Sequence, residues 1–220
     1  MSAAPPARTI TRSTAPLRHT GPAVQVAHGP RNRRAVALTF HGAGDIALAT
    51  QILTIVKAKN AAITVMAVGT WLADNPQIGR EILAGHHQIG NHTFSHLDIN
   101  ALPIDQMRDE VVKCRQVLMK TTGTPGSYFR QSQSQTASDR LKQVAADAGY
   151  PVCLSYDLDS MDWTDPGPAA ISRNMLAAVP GSIVSMHLGH AGTVQALPDV
   201  LDNLTRRGLA AVTVGTLLSG

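Results

Sequence analysis

No stretch of this sequence comes near the ~18 consecutive apolar residues that a membrane-spanning helix needs, and the N-terminus has no apolar core of a secretory signal. A helical membrane span and a recognisable export device are therefore both missing from the sequence as given. Cysteine is nearly absent. Cys114 and Cys153 are the only two, and a single pair argues for no disulfide framework. Cys114 shares a helical face with Met107, Val111 and Leu118, while Cys153 lies in an apolar run, so both read as small core residues.

Acidic residues are missing from the first 34 positions, which carry Arg8, Arg12, Arg18, Arg31, Arg33 and Arg34. The remaining 13 Lys and Arg face all 15 Asp and Glu, so the formal charge of +4 belongs to the N-terminal stretch. A nucleic-acid binder is expected to carry its basic patch on the folded domain, and nucleic acid is excluded as a partner on that ground. Residues 1–34, rich in Pro, Ala, Thr and Arg without apolar periodicity, read as a flexible basic tail, either solvated or touching an anionic surface. Residues 35–220 are long enough for one domain with a full core.

What is present in that domain is alternation. Short apolar runs at 35–40, 63–68, 88–91, 127–130, 151–156, 182–186 and 209–214 read as strands, several buried on both faces. Between them lie helix patterns with recognisable ends: one starting near Asp45, one opening at Asn75-Pro76 and closing at Gly85, and others closing at Gly123, Gly149, Pro180-Gly181 and Gly208. Such alternation predicts an α/β fold with a parallel sheet and outer helices. In these folds chemistry gathers at the C-terminal ends of the strands, where His41, His92, Arg130, Asp157, Asp159 and His187 fall.

The sharpest feature is Asn91-His92-Thr93-Phe94-Ser95-His96. Two histidines four apart can present imidazole nitrogens to one metal ion; a pair of surface histidines in a loop is the plainer alternative. The longer stretch Gly85–His96 resembles the second motif of the polysaccharide deacetylases, the NodB-homology domain of carbohydrate esterase family 4. Ala35–Phe40 resembles the strand into the first motif, Ser127–Arg130 the approach to the third, Asp159–Trp163 the fourth, and Ile183–His187 the fifth.

The resemblance implies an irregular (β/α) barrel of about seven parallel strands. It also implies His92 and His96 as ligands of a divalent ion of the zinc type, and His187 as the general acid. Asp159 would orient His187, Trp163 line a sugar groove, Arg130 brace the first-motif base, and the Gln133 backbone N–H stabilise the oxyanion. The implied partner is an acetylated polysaccharide, chitin-like or from peptidoglycan, handled by a monomer. By family analogy the setting is outside the cytoplasm.

Departures from the family pattern are as informative. Two aspartates, a base and a third ligand, follow Thr-Phe in the family; here those positions are His41 and Gly42. Asp45, reached through Gly42-Ala43-Gly44, is either the displaced ligand or a helix N-cap. His41 is either the base that deprotonates water, a third metal ligand, or a core histidine. After Arg130 the family's proline and tyrosine are replaced by Gln131-Ser132-Gln133, and a family leucine by Ser185. The favoured reading is a deacetylase with His92, His96 and Asp45 as ligands and His41 as base. The alternatives are a carbohydrate-binding relative without catalysis and an amidase for a small non-sugar amide. His28 and His190 read as surface loop positions.

Overall fold

The computed structural model describes residues 21–219. Its longest strand, β2 (Ala35–Gly42), is the hub: it pairs in parallel with β3 (Thr64–Ala67), β7 (Ile183–His187) and β8 (Ala210–Val212). The ladder continues outward through β4 (Gln88–Asn91) on one side and β6 (Leu158–Asp159) on the other. Single-residue bridges at Phe129 then connect β4 to β5 (Val152–Leu154). Every named strand pairing is parallel. Helices α1 (Ile46–Ala58), α2 (Gly69–Asp74), α3 (Pro76–Ala84), α4 (Ile104–Thr122), α5 (Asp139–Asp147), α6 (Pro168–Met175), α7 (Ala191–Arg206) and α8 (Val214–Leu218) fill the intervals. The result is the irregular, parallel-stranded α/β architecture that the alternation implied.

The two-residue period of β2 explains why its run is almost wholly apolar. Val36, Leu38 and Phe40 are fully buried in the large cluster shared with α1 and α7. Ala37 and Thr39 project to the opposite face, where Ala37 joins a smaller cluster with Met66, Leu154, Ile183 and the α8 residues Val214 and Leu217. His41 continues that inner row one step further. Cys114 and Cys153 are buried and free, and burial pushes both thiols up to about 12, which keeps them protonated.

The expected tail boundary at residue 34 does not hold. Residues 1–20 lie outside the described residues, but β1 (Val24–Val26) pairs with β5 in register Val24 to Val152. Arg31 is salt-bridged to Asp157 at 2.7 Å, and Arg34 donates to the carbonyls of Gly208 and Arg207. A three-residue strand is too short to announce itself by periodicity, and these arginines act on fixed acceptors rather than on solvent. Three other elements escaped the sequence for the same reason of brevity: β6, α2 and α8. The expected strand at 127–130 is reduced to the bridges of Phe129.

Leu38 is fully buried at the centre of the hub strand. Leu38→Ala is expected to lower the unfolding free energy by about 2–5 kcal/mol, read from the denaturation midpoint with an unchanged slope.

Candidate active site

Register builds the site. In the β2–β7 ladder His41 stands opposite His187, and Thr39 opposite Ser185, so the two imidazoles leave adjacent strands side by side. Their ring centroids are 4.4 Å apart. β4 ends at Asn91, and His92 follows it directly into the same rim, with its ring 4.4 Å from His41 and 4.8 Å from His96. One ligand nitrogen from each of His41, His92 and His96 lies within 4.8 Å of the others.

The loop carrying His92 and His96 is held in place by buried polar groups. Asn91 Oδ1 accepts from Thr93 N at 2.9 Å, and its amide donates to Val111 O at 2.8 Å. Glu110, buried on α4, accepts from the backbone N–H groups of Phe94 and Ser95 and from the Ser95 hydroxyl. Thr93 and His96 both adopt left-handed backbone, φ 66° and 59°, a conformation that costs about 1–3 kcal/mol and persists where surrounding bonds enforce it. Glu110 was not singled out from the sequence; an acid on the inner face of an otherwise apolar helix stripe was its only signal.

His92 Nδ1 lies 3.1 Å from Arg130 O, a carbonyl that only accepts, so the proton sits on Nδ1 and the lone pair on Nε2. His96 Nε2 is 3.2 Å from that lone pair. That separation suits a hydrogen bond donated by His96 Nε2–H. It is also close to the roughly 3.4 Å between two nitrogens bound tetrahedrally to one zinc ion at ~2.0–2.1 Å. Burial, followed by the neighbouring histidines, lowers His41 and His92 well below the ordinary histidine range, and His96 is lowered as well. Neutral imidazoles clustered at this spacing fit a divalent ion of the zinc type as its ligands.

The expected ligand Asp45 is not among them. Its carboxylate accepts from Ala47 N at 2.7 Å and caps α1 from an exposed position. His41, expected as base, stands in the three-histidine cluster instead. At Gly42 the space of a side chain is filled by neighbours, since a Cβ there would meet Val65 Cγ1 at 2.9 Å and Ala67 Cα at 3.0 Å.

A second correction concerns the partner of His187. Asp159 does not reach it; its Oδ1 accepts from Met161 N at 2.8 Å and its side chain faces Tyr156. Asp162 holds His187, with Oδ1 2.7 Å from His187 Nδ1 and Oδ2 accepting from His187 N at 2.8 Å and Thr193 Oγ1 at 2.6 Å. Burial alone would push the Asp162 carboxyl up, but the bonds from His187 and Thr193 outweigh it and keep the group below its usual range. Asp-Ser-Met-Asp-Trp contains both aspartates, and three residues of offset were below what sequence spacing resolves.

Arg130 is fully buried and braces backbone, donating from Nε to Leu154 O and from one terminal nitrogen to Ser155 O, each at 3.1 Å. Burial lowers its pKa to about 10, so it remains cationic beside His41. The cluster opens into a cleft of about 540 Å³ lined by Gln131, Gln133, Gln135, Tyr156, Asp159 and Trp163 beside His41, His96 and His187. Trp163 is 52% exposed there. Gln133 takes left-handed backbone at φ 57°, and its side chain donates to His96 O at 3.0 Å.

The lowered histidines have a consequence for stability. In the unfolded chain they take up protons near pH 6.5, whereas the fold keeps them neutral to lower pH, so the unfolded state binds more protons in that window. Metal-stripped protein is expected to lose stability progressively as pH falls below about 6.5. Melting temperatures compared at pH 7.5 and 5.5 check this, and an equal or higher value at 5.5 would contradict it.

Residues 28–153 match the family model described as polysaccharide deacetylase. A peptidoglycan-N-acetylglucosamine deacetylase of Bacillus cereus is 28% identical over 194 residues, covering 86% of this chain and 70% of that protein. A chitooligosaccharide deacetylase of Bradyrhizobium is 27% identical over 198 residues, covering 80% and 86%. Among solved structures, a BA3943 mutant described as a CE4 family pseudoenzyme with restored enzymatic activity superposes with a TM-score of 0.84 at 25% identity, over 89% of this chain and 71% of that one. With the family model matching more than half of the sequence, and a parallel α/β fold shared with solved members, this chain belongs to the polysaccharide deacetylases, the CE4 hydrolases of the NodB-homology type.

Proposed function

We propose that this chain is a metal-dependent deacetylase of an N-acetylated glycan, with His41, His92 and His96 as the ligands and the His187–Asp162 pair moving the proton. The observation that carries the reading is the convergence of three neutral imidazoles within 4.8 Å beside a fourth imidazole held by a buried carboxylate. A divalent ion bound there supplies a Lewis acid that acidifies water and polarises an acetamide carbonyl.

The chain's own groups do the rest. Asp162 ties up Nδ1–H of His187, leaving Nε2 as the free nitrogen toward the cleft. As His41 is spent as a ligand, Nε2 takes the proton of the attacking water. It then returns that proton to the amine as the carbonyl carbon–nitrogen bond breaks, giving acetate and a free amino sugar. Anionic Asp162 offsets the charge carried by His187 in between, without itself becoming protonated. The Gln133 backbone N–H faces no acceptor among the described residues and suits the developing oxyanion. Trp163 offers an apolar face for a sugar ring, and the side-chain amides of Gln133 and Gln135 offer hydrogen bonds to its hydroxyl and acetamide groups. The substrate class is a glycan of the chitin or peptidoglycan kind, as named for the relatives.

A second reading is favoured by two observations: no carboxylate among the described residues joins the histidine cluster, and the chain is similar to a CE4 protein described as a pseudoenzyme. On that reading the cleft binds glycan without cleaving the amide. Acetate release from chitin oligomers and peptidoglycan fragments, measured on zinc-loaded protein, decides between them. Glycan binding with no acetate release would overturn the deacetylase assignment.

Two substitutions test the assignment of roles. His41→Ala is expected to abolish stoichiometric metal, while Asp45→Asn keeps it and keeps the helix cap, since asparagine caps about as well as aspartate; the reverse pattern in elemental analysis would restore Asp45 as ligand. Asp162→Asn is expected to retain metal and to lower turnover by roughly 10²–10⁴, and a rate within twofold of the parent would show that His187 needs no carboxylate.

A further inference from the structure

The 3-10 turn at Asp162–Thr164 and the loop after β7 meet twice in the same way. Asp162 pairs with His187, and three residues further along each segment Asp165 pairs with His190, Nδ1 to Oδ1 at 2.8 Å. We propose that His187 and His190 form a second, outer binding site for a divalent transition-metal ion, and that filling it stops the reaction at the inner site.

Both rings have the chemistry of prepared ligands. A carboxylate that accepts from Nδ1–H fixes the tautomer with its lone pair on Nε2; it is the partner that metal-binding histidines commonly have. Neither Nε2 has a hydrogen-bond partner among the described residues. The two rings lie edge to face at 78°, with centroids 5.7 Å apart. Two imidazoles that share one ion through Nε2 at ~2.0–2.1 Å have centroids roughly 5–6 Å apart. Both side chains reach solvent, at 22% and 26% exposure, so an ion has access.

The backbone between them is fixed. A Cβ on Gly189 would stand 3.0 Å from both Ala43 O and Gly44 Cα, so the loop is packed against the β2–α1 connection with no room to swing. Two imidazole donors select zinc, copper or nickel over magnesium or calcium. With two protein ligands against three, this site is the weaker of the two. The functional consequence rests on the role proposed above for His187: an ion on its Nε2 occupies the atom that accepts and returns the proton.

Zinc titration of metal-stripped full-length protein by calorimetry, with elemental analysis after dialysis, tests the site itself. The wild-type chain is expected to bind one tight and one weaker equivalent. His190→Gln should remove only the weaker, His92→Ala only the tighter, and Asp165→Asn should weaken the outer site roughly 10–100-fold. A single equivalent in the wild type, or a second one that survives His190→Gln, overturns the site. The rate at excess zinc divided by the rate at one equivalent tests the consequence. That ratio is expected to be well below one in the wild type and near one in His190→Gln, and equal ratios would overturn the inhibition. Failure of the deacetylase reading is separate: no acetate would be released at one equivalent, while the two-step titration would stand.

Discussion

Asp162 is a carboxylate with no exposed surface, and the rim of the barrel is arranged around keeping it charged. An uncompensated buried carboxylate would cost several kcal/mol. Three donors offset that cost: His187 through its ring and its backbone N–H, and Thr193 from the first turn of α7. Those bonds join the turn after β6, the end of β7 and the start of α7 into one unit. They also leave His187 with one tautomer and one direction. A group that serves several elements in this way both ties them together and sets the orientation of the His187 ring.

The opposite electrostatic condition prevails a few ångströms away. Among the described residues no carboxylate joins His41, His92 and His96, and Arg130 is buried beside them with one terminal nitrogen lacking a hydrogen-bond partner. The positive charge of Arg130 and the neighbouring imidazoles makes protonation of His41 and His92 unfavourable, which reinforces what burial already does. The cluster therefore presents lone pairs rather than N–H donors. An aspartate ligand would offset part of the charge of a bound divalent ion; three imidazole ligands would leave that charge intact, which would strengthen its pull on a carbonyl oxygen. The site is thus chemically distinct from an aspartate-bearing one even though the scaffold is shared.

The sequence made much of this legible, for identifiable reasons. Continuous apolar runs marked the strands of the hub because both of their faces are covered, and Gly or Pro punctuation marked the helix ends, as at Gly123, where φ is 75°. His92 and His96 were legible because their spacing is local and their loop follows directly on a strand end. Trp163 and His187 were legible as motif positions. Elements of two to six residues were not, since too few positions exist for a period to show. Asp45 was open between ligand and cap because both roles are played by the same carboxylate at the same place in the chain.

What the sequence by itself determined is therefore the fold class, the family and the types of chemical group available: imidazoles, a tryptophan in the fourth motif and a run of amides in place of the usual third motif. Local spacing and apolar patterning carry those, and both act over a few residues. Only the tertiary structure decided which groups meet. Strand register set His41 beside His187 across 146 residues of chain, the choice of Asp162 over Asp159 turned on a few ångströms of loop path, and the packing of Val65 and Ala67 closed the space at Gly42. Such outcomes depend on distances between elements remote in sequence, which no local pattern encodes.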